Sequence, residues 1–266
     1  MPTMLVNNIK FNYIDKGIGA PIIFLHGVWM SSMFFQKQID ELSKYHRVIA
    51  IDFRGHGLSE NTNHGHTVSQ YAADVKAIID QLKLEEIVFV GWSMGAFVIW
   101  DYIEQFGSHN IKATAIIDES ASDFKWDDWP YGFADFPTLI HLMEMIQTDH
   151  EHLIDDFLPL MFKDSLDENS QSWMKLELLK VNPATAGTIL FDQTTRDYRN
   201  KIANFTFPTL LCFGRDSKLV PVEAGEYFLE HINQSELVIF ENSGHCPFLE
   251  EHEAFNHQLL KFISKI

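Results

Sequence analysis

The stretch Ile87-Val88-Phe89-Val90-Gly91-Trp92-Ser93-Met94-Gly95 decides how the rest of the chain reads. Four apolar residues, mostly β-branched, run straight into G-x-S-x-G. A segment with Phe97, Val98, Trp100, Tyr102 and Ile103 at helical spacing follows. A strand that reverses this sharply into a helix crowds its own backbone. Small residues are therefore needed two before and two after the centre, where Gly91 and Gly95 stand. Ser93 is then presented at the carboxyl edge of a sheet, and the free N–H groups of the helix face any negative charge forming beside it. A serine that merely caps a helix after a turn spells the same pentapeptide, so the reading depends on its surroundings.

Outward from this motif, short apolar runs recur at residues 22–25, 48–51, 113–117, 210–213 and 237–240. Runs apolar on both faces are what strands of a covered parallel sheet look like. Residues 4–6 and 9–14, joined by Asn7-Asn8, predict an antiparallel hairpin ahead of them. Amphipathic helices are predicted between strands, at residues 32–44 and, behind a Thr67 N-cap, at 68–82. The expected fold is therefore α/β, with a doubly wound, mostly parallel sheet. Residues 121–203 break the rhythm, with helical patterns at 137–149, 152–162, 168–181 and 183–195 and no strand-like run. Some eighty residues exceed an ordinary crossover and predict an inserted helical lid on a core made of 1–120 and 204–266. A helical subdomain with no part in binding is the plainer alternative.

A serine hydroxyl is a poor nucleophile unless a base takes its proton and a carboxylate orients that base. Asp216 follows the run 210–213, and His245 follows the run 237–240. Ser93, Asp216 and His245 thus each come just after a strand, at the edge where open sheets bind ligands. Asp118, after the run 113–117, is the alternative acid. The loop His26-Gly27-Val28-Trp29 follows the first long parallel strand, and Gly27 lets it bend toward the serine. The backbone N–H groups of Val28 and Met94 are then the expected oxyanion donors. His26 is expected to brace this loop by hydrogen bonding rather than to act as the base.

With these residues in place the chain resembles the α/β-hydrolase fold family, from about Leu25 to His245. The match includes the turn motif Asp52-Phe53-Arg54-Gly55-His56-Gly57-Leu58-Ser59. Within that family it is similar to the bacterial serine-nucleophile branch of esterases, perhydrolases and cofactor-free haloperoxidases. The resemblance implies Ser93 as nucleophile, Asp216 as acid, His245 as base, and Val28 and Met94 as oxyanion donors. Serine at the elbow, where haloalkane dehalogenases and epoxide hydrolases carry aspartate, argues against those activities.

Composition narrows the partners. Lys and Arg total 20 against 37 Asp and Glu, a formal net charge of −17, which repels phosphate backbones and anionic membranes. Two cysteines, Cys212 and Cys246, make no disulfide framework, and no signal peptide is visible, so a cytoplasmic location is expected. His64-Gly65-His66 and His150-Glu151-His152 lack the spacing of a metal site, and neither a metal nor a cofactor is expected. Trp29 and Trp92 flank the motifs and are expected to contact substrate. Abundant Trp, Phe and Met in the lid suit an apolar acyl or alcohol portion. The expected activity is hydrolysis of small to medium, largely apolar carboxylic esters through an acyl-enzyme on Ser93. Lactone hydrolysis, C–C bond hydrolysis and a perhydrolase side reaction use the same residues. A slow-turnover small-molecule receptor is the alternative from another class.

Overall fold

The computed structural model describes residues 2–266. Asn7 and Asn8 adopt φ of +51° and +64°, the paired left-handed conformation of a tight hairpin turn. They join β1 (Thr3–Val6) to β2 (Ile9–Lys16), and β2 then pairs antiparallel with β4 (Arg47–Ile51). β3 (Pro21–Leu25), β5 (Ile87–Trp92), β6 (Ile111–Ile117), β7 (Thr209–Gly214) and β8 (Ser235–Phe240) complete the sheet in parallel. The order is β1-β2-β4-β3-β5-β6-β7-β8. β3, β5 and β7 are buried at every position, the burial that a sheet covered on both faces imposes.

From β3 the chain moves outward to β4, then returns past β3 to β5. The connections after β3 and β5 therefore diverge, opening a crevice at the carboxyl ends of these two strands. The 26–31 loop and Ser93 sit there. Of the flanking helices, α1 (Gln36–Leu42) and α2 (Val68–Leu82) follow β3 and β4, and α3 (Met94–Phe106) follows β5. Thr67 caps α2 by accepting the Gln70 N–H.

Between β6 and β7 lie four α-helices: α4 (Phe136–Thr148), α5 (His150–Phe157), α6 (Glu168–Leu178) and α7 (Pro183–Thr194). Their starts are written locally. Asp135, Asp167 and Asn182 each accept a first-turn N–H, and Pro137 and Pro183 sit where no N–H is needed. The single helix expected over 152–162 instead begins at His150. It gives way to a 3₁₀ turn at Leu158–Met161, because Pro159 cannot donate an α-helical hydrogen bond. The insertion is tied to the core: Trp29 Nε1 donates to Ala186 O (3.2 Å) and the Ser31 hydroxyl to Glu177 (2.7 Å). After β7 come α8 (Val222–His231), α9 (Pro247–Glu250) and α10 (His252–Ile263).

The Asp52 turn holds the site loop from behind. Its buried carboxylate accepts Ser32 N–H (2.7 Å), Leu58 N–H (3.0 Å) and the Asn12 amide (2.7 Å). Gly57 is needed here, since a Cβ would lie 2.4 Å from that carboxylate at a φ of +54°. Arg54 and Asp74 form a buried bidentate pair beside it.

Candidate active site

The turn after β5 is as tight as its spelling demands. A Cβ on Gly91 would meet the Gly95 backbone at 2.7 Å, and one on Gly95 would meet Leu25 O at 2.1 Å. Close approach of three backbone segments thus forces Ser93 to φ +52°, ψ −124°, a costly conformation for a residue with a side chain. Its N–H donates to Ile117 O (3.1 Å), which ties the elbow to the end of β6. Trp29 and Asp118 also adopt left-handed φ, at +64° and +45°. These three, Trp29, Ser93 and Asp118, follow β3, β5 and β6 at one rim of the sheet.

His245 sits in the loop after β8, 3% exposed, with Nδ1 2.8 Å from Asp118 Oδ1. A carboxylate only accepts, so Nδ1 carries a proton, and in the neutral ring this tautomer leaves Nε2 as the acceptor. Asp118 is fully buried at the end of β6. It also accepts the Ser217 hydroxyl (2.7 Å) and the Gly214 N–H (2.8 Å), so three donors from two strand-end loops converge on it.

Asp216 is not at this position, and the expectation that it supplies the acid is corrected here. Its side chain is 47% exposed and pairs with Lys163 Nζ at 2.8 Å. The physical reason is the path of the loop after β7. Arg215 turns outward to Glu241 and Asp216 to Lys163, and the next residue, Ser217, is the one that turns inward. The adjacent strand β6 delivers the carboxylate instead.

Ser93 and His245 line one cavity of about 430 Å³ together with Val28 and Trp29. No hydrogen bond joins Ser93 Oγ to His245 among the described residues, and such contacts commonly tighten only when substrate arrives. The insertion contributes Phe133, Leu142, Phe157, Leu160 and Leu190 to the wall, so a covered, largely apolar space faces the serine. The Val28 N–H makes no hydrogen bond among the described residues. As the first residue of α3, Met94 has no acceptor for its N–H within the helix. Neither N–H has an acceptor among the described residues.

Of the two tryptophans expected against substrate, only Trp29 lines the cavity. Trp92 is the second correction: it is fully buried beneath the site, packed on Phe34, Phe35 and Phe248. Its Nε1 donates to His245 O (3.1 Å), so it braces the histidine loop instead. His26 links Gly27 O (2.8 Å) to the Phe53 N–H (3.2 Å), and burial lowers its pKa to about 4. It is a neutral brace of the loop, as its position suggested.

Two cavity residues escaped the sequence reading. Glu119 and Asp123 are 1% and 2% exposed, and their carboxyl groups are hydrogen-bonded to each other. Burial raises Glu119 well above the usual carboxylate range and pushes Asp123 up to about 6, against hydrogen bonds from Glu119 and Gln193. No pattern of spacing announces this pair; it forms because residues 119–123 fold back over the end of β6.

Because the folded Asp123 binds its proton more tightly than its ordinary value of 3.8, its contribution to stability is complete below that value. It is lost as pH rises through about 6. His26 and His56, lowered by burial to about 4 and about 3, act in the opposite sense as pH falls. The comparison must therefore be between chains: Asp123→Asn is expected to lose less stability than the wild type as pH rises from about 4 to 6. Denaturant melts at several pH values read this, and parallel curves for the two proteins would refute it.

Among the described residues no group of three or more His, Cys, Asp or Glu is arranged to hold a metal ion. No helix among them is long and apolar enough to cross a membrane.

With the tight turn at the switch of strand order and the histidine loop opposite it, the fold is that of an α/β hydrolase. The chain belongs to the alpha/beta hydrolase family, whose profile matches residues 22–258. The AB hydrolase superfamily protein YisY of Bacillus subtilis is 31% identical over 93% of both chains. A pimeloyl-[acyl-carrier protein] methyl ester esterase of Nitrosomonas europaea is 28% identical over 90% of this chain and 94% of its own. Among solved structures, the esterase EaEST of Exiguobacterium antarcticum superposes with a TM-score of 0.94 at 26% identity, covering 98% of each chain. Non-heme haloperoxidases are relatives as well.

Proposed function

We propose that this protein is a cofactor-independent serine hydrolase of small to medium, largely apolar carboxylic esters, working through an acyl-enzyme on Ser93. The observation that carries this reading is the buried Asp118–His245 pair, 2.8 Å apart, at the wall of the cavity that also holds Ser93. Esterases among the relatives point the same way.

In this mechanism Asp118 holds the Nδ1–H tautomer, so His245 Nε2 takes the Ser93 proton as Oγ attacks the ester carbonyl. The Val28 and Met94 N–H groups receive the oxyanion, and the positive end of α3 adds to them. The alcohol leaves with the proton from His245. Water, activated by the same imidazole, then frees the acid and restores the serine. The apolar wall contributes about 0.8 kcal/mol for each methylene it buries. A lactone would open by the same steps, with acid and alcohol left in one product.

A panel of aryl esters of increasing acyl length, with lactones alongside, tests the reading when combined with mass spectrometry of quenched reactions. Turnover of one or more esters is expected, with an acyl mass added to the peptide that contains Ser93. Absence of both turnover and adduct across the whole panel would falsify it.

A further inference from the structure

We propose that Glu119, Asp123 and Gln193 form an acceptor-rich subsite of the cavity that holds a protonated amino group of the substrate. The link to ester cleavage rests on the hydrolase reading above; the subsite itself does not.

All three residues line the same cavity as Ser93 and His245. The two buried carboxyl groups interact with each other, which together with burial raises Glu119 and favours a single proton held by the pair; the Ser120 N–H also donates to Glu119 Oε1 (2.6 Å). Neither makes an ion pair with a Lys, Arg or His side chain among the described residues. A buried carboxylate left this way is costly in a protein interior unless something supplies donors. Two lysines also line the cavity, yet Lys218 Nζ is spent on Pro159 O (3.3 Å) and Phe162 O (2.8 Å), and Lys125 is exposed.

Gln193 adds an independent sign. It is 2% exposed, and its Nε2 donates to Asp123 Oδ2 at 2.5 Å, which leaves Oε1 as an acceptor. That oxygen is buried and has no hydrogen-bond partner. Unmet acceptors of this kind are rare in folded interiors because each forfeits a hydrogen bond that water would have made.

The cluster thus offers carboxylate, carboxyl and amide oxygens that outnumber its donors, a shared proton and the second N–H of the Gln193 amide. An alkylammonium brings three donors, one positive charge and no acceptor, which answers all of these needs together. A neutral hydroxyl brings a single donor, and an anionic group is repelled. The surrounding wall, with Leu142 and Leu190, accommodates the alkyl spacer between that group and the ester. The substrate class assigned is therefore an aminoalkyl ester, the amine lying on the acyl or the alcohol portion.

Calorimetric titration with hexylammonium and, separately, hexanol tests the subsite without any chemistry. The wild type is expected to bind hexylammonium about tenfold or more tightly than hexanol. Asp123→Asn should abolish that preference. Gln193→Leu, which keeps both carboxyl groups, should weaken it and carries the test should the Asp123 variant fail to fold. Equal binding of the two probes, or a preference untouched in both variants, overturns the proposal. In turnover, kcat/KM for the ethyl ester of an ω-aminoalkanoate against that of an alkanoate of equal length reads the same preference. Hydrolysis of both without preference, alongside equal binding, removes the subsite and keeps the hydrolase. Preferential ammonium binding with no ester turned over does the reverse.

Discussion

Asp118→Asn is expected to lower kcat by about ten-thousandfold on the best ester of the panel, while Asp216→Asn stays within a few-fold of the wild type. The argument lies in the donors around Asp118. Gly214 N–H and the Ser217 hydroxyl both point at its carboxylate, one at each oxygen, and His245 Nδ1 shares the oxygen used by Ser217. An amide at this position has only one acceptor oxygen. If that oxygen stays on the Gly214 N–H, whose backbone cannot turn away, the NH2 group faces His245. The imidazole must then accept at Nδ1 and carry its proton on Nε2, the nitrogen that has to take the proton of Ser93. The fold would survive and the base would be lost. Asp216, half exposed on Lys163, touches neither His245 nor the cavity. Steady-state kinetics on the two variants decides the matter: a crippled Asp216 variant beside an active Asp118 variant would return the acid to the position first expected from the sequence.

Ser93→Ala is expected to remove ester turnover on the order of a millionfold in kcat, down to what the oxyanion donors and binding still provide. The acyl adduct should vanish with it. Folding should be little affected, because alanine keeps the Cβ that the elbow already accommodates and removes only one oxygen at the cavity wall. The backbone strain at φ +52° is the same in both proteins. Thermal unfolding alongside the rate assay separates lost chemistry from lost structure. Undiminished hydrolysis by a folded Ser93→Ala chain would end the acyl-enzyme mechanism outright.

Much of this architecture was legible residue by residue. The strands at 22–25, 48–51 and 210–213 were visible because burial on both faces leaves no room for a polar side chain, and the sheet buries them on both faces. The elbow was visible because Gly91 and Gly95 answer a steric demand made within five residues of chain. The loop through Val28 and the start of the helix at Met94 lie beside that turn for the same local reason, which is why their N–H groups were the expected donors. Helices in the insertion beginning near 137, 168 and 183 were visible in their apolar spacing, and in the structure Asp135, Asp167 and Asn182 cap them by acting on N–H groups two or three positions away.

The misplaced acid has a different origin. Asp118 and Asp216 both follow buried strands, both belong to loops at the right edge, and nothing within a few residues separates them. What separates them is whether a loop turns a given side chain in or out. The loop after β7 spends Asp216 on Lys163 and turns Ser217 inward, and the left-handed φ of Asp118 turns that side chain toward the histidine loop. Trp92 went below the histidine, not into the cavity, for a similar reason: its orientation is set by packing on Phe34 and Phe248, distant in sequence. The chain alone thus determined the sheet, the tight turn that carries Ser93, and the placing of His245 and the 26–31 loop at the same rim, all products of steric rules that act over neighbouring residues. Only the tertiary structure decided which carboxylate meets His245, and that Glu119, Asp123 and Gln193 share one cavity wall. Those outcomes depend on contacts between segments dozens of residues apart, where small changes in loop path exchange one side chain for the next.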